Sequence, residues 1–192
     1  MQLKTLVKVG NITNLSDARY CAGMGVDMLG FNAVEGSKAY IAPALYQEIR
    51  GWVAGPLVVA ELYNLPEKLA LQPILEAYRP DYLELGPREL TRTDLPRHIP
   101  LILSLENEFP AQLSKGKQKI AYIQIKETNA KLIKSIADTY DVLIELRSAD
   151  SLLNILNNEA IKGLSLSGSP EVRPGFKDYG DLADILDQLE VE

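Results

Sequence analysis

The chain has 192 residues, 46% hydrophobic and 24% charged, the balance of an ordinary globular protein and not of a disordered or membrane-embedded one. Its formal charge of −6, with no lysine–arginine cluster, excludes the basic footprint of a nucleic-acid binder. One cysteine, Cys21, excludes an internal disulfide framework, and the start "MQLKTLVKVGN" lacks the apolar core of a leader, so a cytoplasmic protein with no membrane partner is expected.

In chain order, short apolar runs alternate with helical stretches. Strands are predicted at 5–10 ("TLVKVG"), 27–32, 57–63, 81–86, 100–105, 121–126, 141–146 and 163–168 ("GLSLSG"). Helices are predicted around 16–24, 43–53, 66–78, 129–139, 149–157 and 179–188. Weaker helical connections lie at 87–95 and 107–117, broken up by Pro87, Pro96, Pro110 and Gly116. Strands that alternate with helices pair in parallel through crossovers. Units of such even length favour closure into an α/β (β/α)8 TIM barrel spanning 1–192 as a single domain, over an open doubly wound sheet.

Alternate strand residues then divide between the helical layer and the barrel interior. Val7, Val9, Leu83, Leu85, Leu101, Leu103, Ile123, Ile125, Val142, Ile144, Leu164 and Leu166 form the helix-facing set. The opposite set is polar: Lys8, Gly10, Glu61, Glu84, Gly86, Ser104, Glu106, Gln124, Lys126, Glu145, Arg147, Ser165 and Ser167. Its C-terminal members lie at the mouth where barrel active sites are built.

On these residues the sequence resembles the phosphoribosylanthranilate isomerase family, barrels that perform an Amadori rearrangement in tryptophan synthesis. "KVGNITNLSDA" (8–18) is similar to the family's Lys-Ile-Cys-Gly-Ile-Thr opening. "GFNAVEGSKAYIAP" (30–43), "VAELYN" (59–64) and "ELGPRE" (84–89) resemble its next three strand ends. "GLSLSGSPEVRPGFKD" (163–178) is similar to its Ser-Ser-Gly-Val-Glu and Pro-Gly-x-Lys-Asp close. The resemblance implies a TIM barrel and a phosphorylated ligand. It also exposes departures. The family's general-base cysteine falls on Gly10, its general-acid aspartate on Lys126, and its substrate-binding arginine on Ala39 beside Lys38. Its fourth-strand histidine falls on Gly86, and its double-glycine turn after strand seven on "IELRSAD" (144–150). Cys21, inside the first helix, does not replace the missing cysteine.

Ser167, Gly168 and Ser169 offer a hydroxyl and backbone N–H groups to phosphate oxygens, or else form a tight turn and a cap. Arg147 grips the same anion bidentately, or pairs with Glu145. Glu61, Glu84, Glu106 and Glu145, nearly balanced by Lys8, Lys126 and Arg147 and joined by Gln124 at the mouth, make a self-paired polar ring rather than a metal site, so neither metal nor cofactor is expected. Lys126 with Glu84 is the candidate catalytic pair; Lys126 is either an acid, a Schiff-base amine, or an ammonium paired with Glu84 or Glu145. His98 precedes the fifth strand, on the opposite face. The leading expectation is a barrel that binds a small phosphorylated or carboxylated metabolite, as monomer or homodimer, with the family's acid–base pair lost. An active Amadori-type isomerase or a lyase using Lys126 with a glutamate is the alternative, and a non-catalytic scaffold the third.

Overall fold

The inward-facing polar set is explained by how eight short strands close on one another. A computed structural model of the chain describes residues 2–106, 118–168, 171–173, 176–177 and 180–191. The strands are β1 (Leu6–Gly10), β2 (Met28–Asn32), β3 (Leu57–Glu61), β4 (Tyr82–Leu85), β5 (Leu101–Leu105), β6 (Ile120–Lys126), β7 (Asp141–Glu145) and β8 (Ile161–Ser167). All pair in parallel with their sequence neighbours, and β1 pairs with β8, closing the barrel. Each predicted strand is present. The helices are α1 (Leu15–Gly23), α2 (Pro43–Trp52), α3 (Gln72–Tyr78), α4 (Ile133–Ile136), α5 (Leu152–Leu156) and α6 (Gly180–Leu189). A small antiparallel hairpin of β9 (Glu171–Arg173) and β10 (Phe176–Lys177), not foreseen from sequence, precedes α6. The expected 107–117 connection lies outside the described residues.

Local chemistry sets several of these boundaries. The Asn14 side chain accepts from the Asp17 N–H at 2.9 Å and caps α1. Pro43 occupies the first turn of α2, where its missing N–H costs nothing. The helix predicted over 66–78 begins only at Gln72. The Arg92 guanidinium takes the carbonyls of Pro66 (3.0 Å) and Leu69 (2.6 Å), which a helix would have used, and the Asp94 carboxylate accepts from the Leu71 N–H at 3.3 Å. Residues distant in sequence thus replace the first turns of that helix and cap the rest. Between β4 and β5 only a 3-10 turn forms, at Glu89–Thr91. After β6 and β7 the chain passes through 3-10 turns into α4 and α5, each shorter than its expected helix.

Two apolar layers enclose the polar one. Val7, Val9, Leu83, Leu85, Leu103, Ile123, Ile144 and Leu164 are fully or almost fully buried against α-helical residues such as Ala18, Tyr46 and Ile49. Each such side chain contributes about 1.5–3 kcal/mol of burial. Inside the barrel, Met28, Val59, Ile102 and Leu143 form a separate apolar plug, with Tyr82 and Tyr122 packed at its edge. Strand register then sets polar residues side by side: Glu61 beside Glu84, Ser104 beside Gln124, Lys126 beside Glu145, and Ser165 beside Lys8. Among the described residues, no helix is long and apolar enough to cross a membrane.

Candidate functional site

Lys8 is the anchor of the barrel mouth. Its side chain is 2% exposed, and its ammonium contacts Glu61 Oε1 at 3.2 Å and pairs with Glu84 Oε2. Burial alone pulls a lysine pKa down, but the carboxylates of Glu84 and Glu61 outweigh it and leave Lys8 above the ordinary lysine value. Glu84 is also held on its other oxygen, by the Tyr63 hydroxyl. Burial and the adjacent Glu84 charge push the Tyr63 phenol well above its usual value, so it remains a donor.

Glu61 is placed differently. The backbone N–H of Asn11 donates to its two carboxylate oxygens at 3.3 and 3.2 Å. Asn11 can aim that N–H because it sits at φ 55°, in the left-handed region that asparagine tolerates better than most residues. Burial raises the Glu61 pKa; Lys8 opposes that, and Glu84 adds to it. The carboxylate also fills space left by two glycines. A Cβ on either Gly10 or Gly30 would run into Glu61 Oε1, and one on Gly30 would also come within 3.0 Å of the Gly10 Cα. Gly10, Gly30 and Glu61 are therefore one steric unit: the side chain missing from β1 and β2 is replaced by the one reaching over from β3.

Above this floor lies a cavity of about 220 Å³, bordered by Tyr63, Ser104, Gln124, Lys126, Glu106 and Glu145 as well as the buried triad. Gln124 is 5% exposed, and its Oε1 has no hydrogen-bond partner. At the rim, Lys126 pairs with Glu106 at 3.2 Å, and not with the Glu84 or Glu145 named as partners from sequence. Glu106 directly follows Leu105, which registers with Ile125, so the β5–β6 register carried one residue further sets it opposite Lys126. A second cavity of about 550 Å³ adjoins the first through Asn11, Leu166 and Ser167, and is lined by Lys38, Arg147, Gly168 and the start of α6.

The sequence-predicted residues divide between these two spaces. Lys8, Glu61, Glu84, Glu106, Gln124, Lys126 and Glu145 face the central cavity, as expected. Arg147 does not. It is 82% exposed, lines the second cavity with Gly168 and with Ser167, which also borders the central one, and contacts Glu145 at 3.3 Å. The Gly168 N–H, expected to face an anion, donates to the Gly10 carbonyl at 2.8 Å and extends the β1–β8 ladder. What this turn presents is the Ser167 side chain. Ser169 lies outside the described residues. His98 is exposed ahead of β5, away from the mouth. Sequence reasoning did not single out Asn11, Gly30 or Tyr63. The signal for Tyr63 was its place two residues after Glu61, continuing the inward period past the end of the strand. Among the described residues, no group of three or more His, Cys, Asp or Glu side chains is arranged to hold a metal ion.

No protein-family model matches the chain. A curated N-(5'-phosphoribosyl)anthranilate isomerase from Bordetella petrii is 29% identical over 82 residues, which span 43% of this chain and 37% of that enzyme. The phosphoribosylanthranilate isomerase of Thermus thermophilus superposes with a TM-score of 0.74 at 21% identity, covering 96% of this chain and 98% of that one. The chain resembles phosphoribosylanthranilate isomerases. The Thermotoga maritima phosphoribosylanthranilate isomerase gives 0.73 at 21% identity, with the same 96% and 98% coverage. These structural likenesses establish the TIM barrel, and all three relatives support the phosphoribosylanthranilate isomerase resemblance read from the strand ends. Both Gly10 and Lys126, onto which the sequence resemblance maps that family's base and acid, line the central cavity.

Proposed function

We propose that this phosphoribosylanthranilate isomerase-like barrel binds a small phosphorylated or carboxylated metabolite across the two cavities, and that it has lost effective isomerase chemistry. The observation that carries the reading is the second cavity: Lys38, Arg147 and Ser167 line a space that shares Asn11, Leu166 and Ser167 with the central one. Two cations and a hydroxyl suit an anionic group, and an exposed guanidinium can exchange its partner Glu145 for a phosphate at little cost. Together the cavities reach the size range of metabolite sites. One related phosphoribosylanthranilate isomerase has been solved with reduced 1-(o-carboxyphenylamino)-1-deoxyribulose 5-phosphate, a phosphorylated ligand.

The isomerisation needs a base beside the imine carbon and an acid at the ring oxygen. Gly10 has no side chain to take a proton, and Lys126 brings an ammonium already paired with Glu106. Acid and base groups each contribute roughly 10²–10⁴-fold, so their loss is crippling. Inorganic phosphate at ten times its Kd should stabilise the fold by about 1.4 kcal/mol and raise the melting temperature accordingly. Arg147→Ala with Lys38→Ala should erase that shift; an unchanged shift would move the anion elsewhere.

One observation favours a second reading. Glu61 holds its carboxylate over Gly10 and has a raised pKa, the properties of a substitute base, with Lys126 as acid. A fluorescence assay of the isomerisation separates the two. Turnover near the usual enzyme median of about 10 s⁻¹, abolished by Glu61→Gln, establishes the second reading; no turnover overturns it and leaves the phosphate-induced thermal shift to test the first.

A further inference from the structure

The central cavity and its neighbour carry opposite electrostatic character. Around the 220 Å³ cavity, four carboxylates (Glu61, Glu84, Glu106 and Glu145) face two ammonium groups, Lys8 and Lys126. Both ammonium groups are already held by carboxylates. Arg147 reaches Glu145 from the outer cavity, so four carboxylates still face three cations, and Gln124 adds a buried carbonyl oxygen with no hydrogen-bond partner. A buried acceptor left unmade carries a desolvation penalty that a ligand donor would recover. The outer cavity, by contrast, presents Lys38 and Arg147 against Asp181.

From this the geometry points to a specific ligand class: a small molecule with an anionic group at one end and a protonated aliphatic amine at the other. The anion lies between Lys38 and Arg147, as in the function proposed above, on which this inference rests. The amine enters the central cavity and donates to Gln124 Oε1 and the nearest carboxylates. The opposite orientation brings an anion against the carboxylate-lined floor, where burial strengthens the repulsion. A ligand with anions at both ends faces the same penalty. A hydroxyl in place of the amine satisfies Gln124 but leaves the excess carboxylate charge uncompensated. The 220 Å³ volume admits a short aliphatic end, which keeps the amine desolvated and its charge-assisted bonds strong.

The test is titration calorimetry of the intact protein at neutral pH and low salt with aminoalkyl phosphates of increasing length. Each is matched against the hydroxyalkyl phosphate of the same length. The expected result is an amine form binding at least about tenfold tighter at the best length, the worth of one charge-assisted hydrogen bond. Gln124→Leu, which keeps the volume and removes the acceptor, should cut that advantage severalfold, and Glu145→Gln should reduce it further, read as the ratio of the two affinities, because freeing Arg147 strengthens the anion contact of both forms alike. Equal binding of amine and hydroxyl forms overturns the inference and leaves the anion site standing. If neither ester binds and inorganic phosphate gives no thermal shift, the anion site fails instead. A propylammonium titration then decides the amine site separately: saturable binding lost in Gln124→Leu upholds it, and no binding overturns it.

Discussion

The floor and the rim of the mouth are built from the same residue types, yet they do different physical work. On the floor, Lys8, Glu61 and Glu84 are almost completely buried, and each charge has a fixed partner. At the rim, Lys126–Glu106 and Arg147–Glu145 are also ion pairs, but Lys126 is 43% and Arg147 82% exposed. Burial makes the first set interdependent and water makes the second exchangeable. A buried pair cannot lose one member without leaving an uncompensated charge, whereas an exposed pair is worth about 0–1 kcal/mol and yields readily to a ligand. The floor is therefore a scaffold of fixed charge and the rim is where ligand exchange is cheap.

The largest break in that contrast should come from Lys8→Met. Leaving Glu61 and Glu84 together without a cation is expected to cost about 3–5 kcal/mol in urea unfolding at neutral pH. A loss below about 1 kcal/mol would mean the floor is wet. Tyr63→Phe removes one donor from a buried carboxylate and should cost about 1.5–3 kcal/mol by the same measurement. Next, Gly10→Cys forces a side chain into the space of the Glu61 carboxylate and should cost about 1–3 kcal/mol. Combining it with Glu61→Ala should show a favourable coupling of about 0.5–3 kcal/mol in a double-mutant cycle; simple additivity would dissolve the steric unit. Restoring a cysteine at this position for activity accordingly requires changing Glu61 as well.

A smaller effect is expected from pH. The Glu61 carboxyl, facing Lys8, Glu84 and the Asn11 N–H, has a folded pKa above its unfolded one. The folded state thus holds that proton longer, and the Glu61 contribution to stability falls as pH rises from the ordinary carboxylate range to the raised value. Glu61→Gln should remove this fall, visible as a narrowing difference between the two stability–pH curves. Lys8 behaves oppositely placed on the scale: its stabilisation is full below the ordinary lysine value and is lost as pH rises through its higher folded one. Smallest of all, Arg147→Ala should change unfolding free energy by no more than about 0.5 kcal/mol while removing the phosphate-induced shift. A large destabilisation would make Arg147 structural, part of the scaffold and not of the exchangeable rim.

The sequence by itself determined the eight strands, their inward and outward faces, and hence which residues could meet at the mouth. That was legible because strand side chains alternate with a period of two: once Val7 and Val9 face the helices, Lys8 and Gly10 must face inward. The resemblance to the isomerases was legible for the same reason, since it rests on strand ends. Tertiary structure alone decided the rest. Of the two residues that register sets beside Lys126, Glu145 on β7 and Glu106 just past β5, the folded chain pairs it with Glu106, while Arg147 lines a second cavity. The first turns predicted for α3 gave way to Arg92 and Asp94, which take its backbone groups from more than twenty residues away. Above all, the empty place at Gly10 was filled by Glu61, 51 positions along the chain. Periodicity is a property of neighbouring residues in one strand, but occupancy of a shared volume depends on every strand that closes around it.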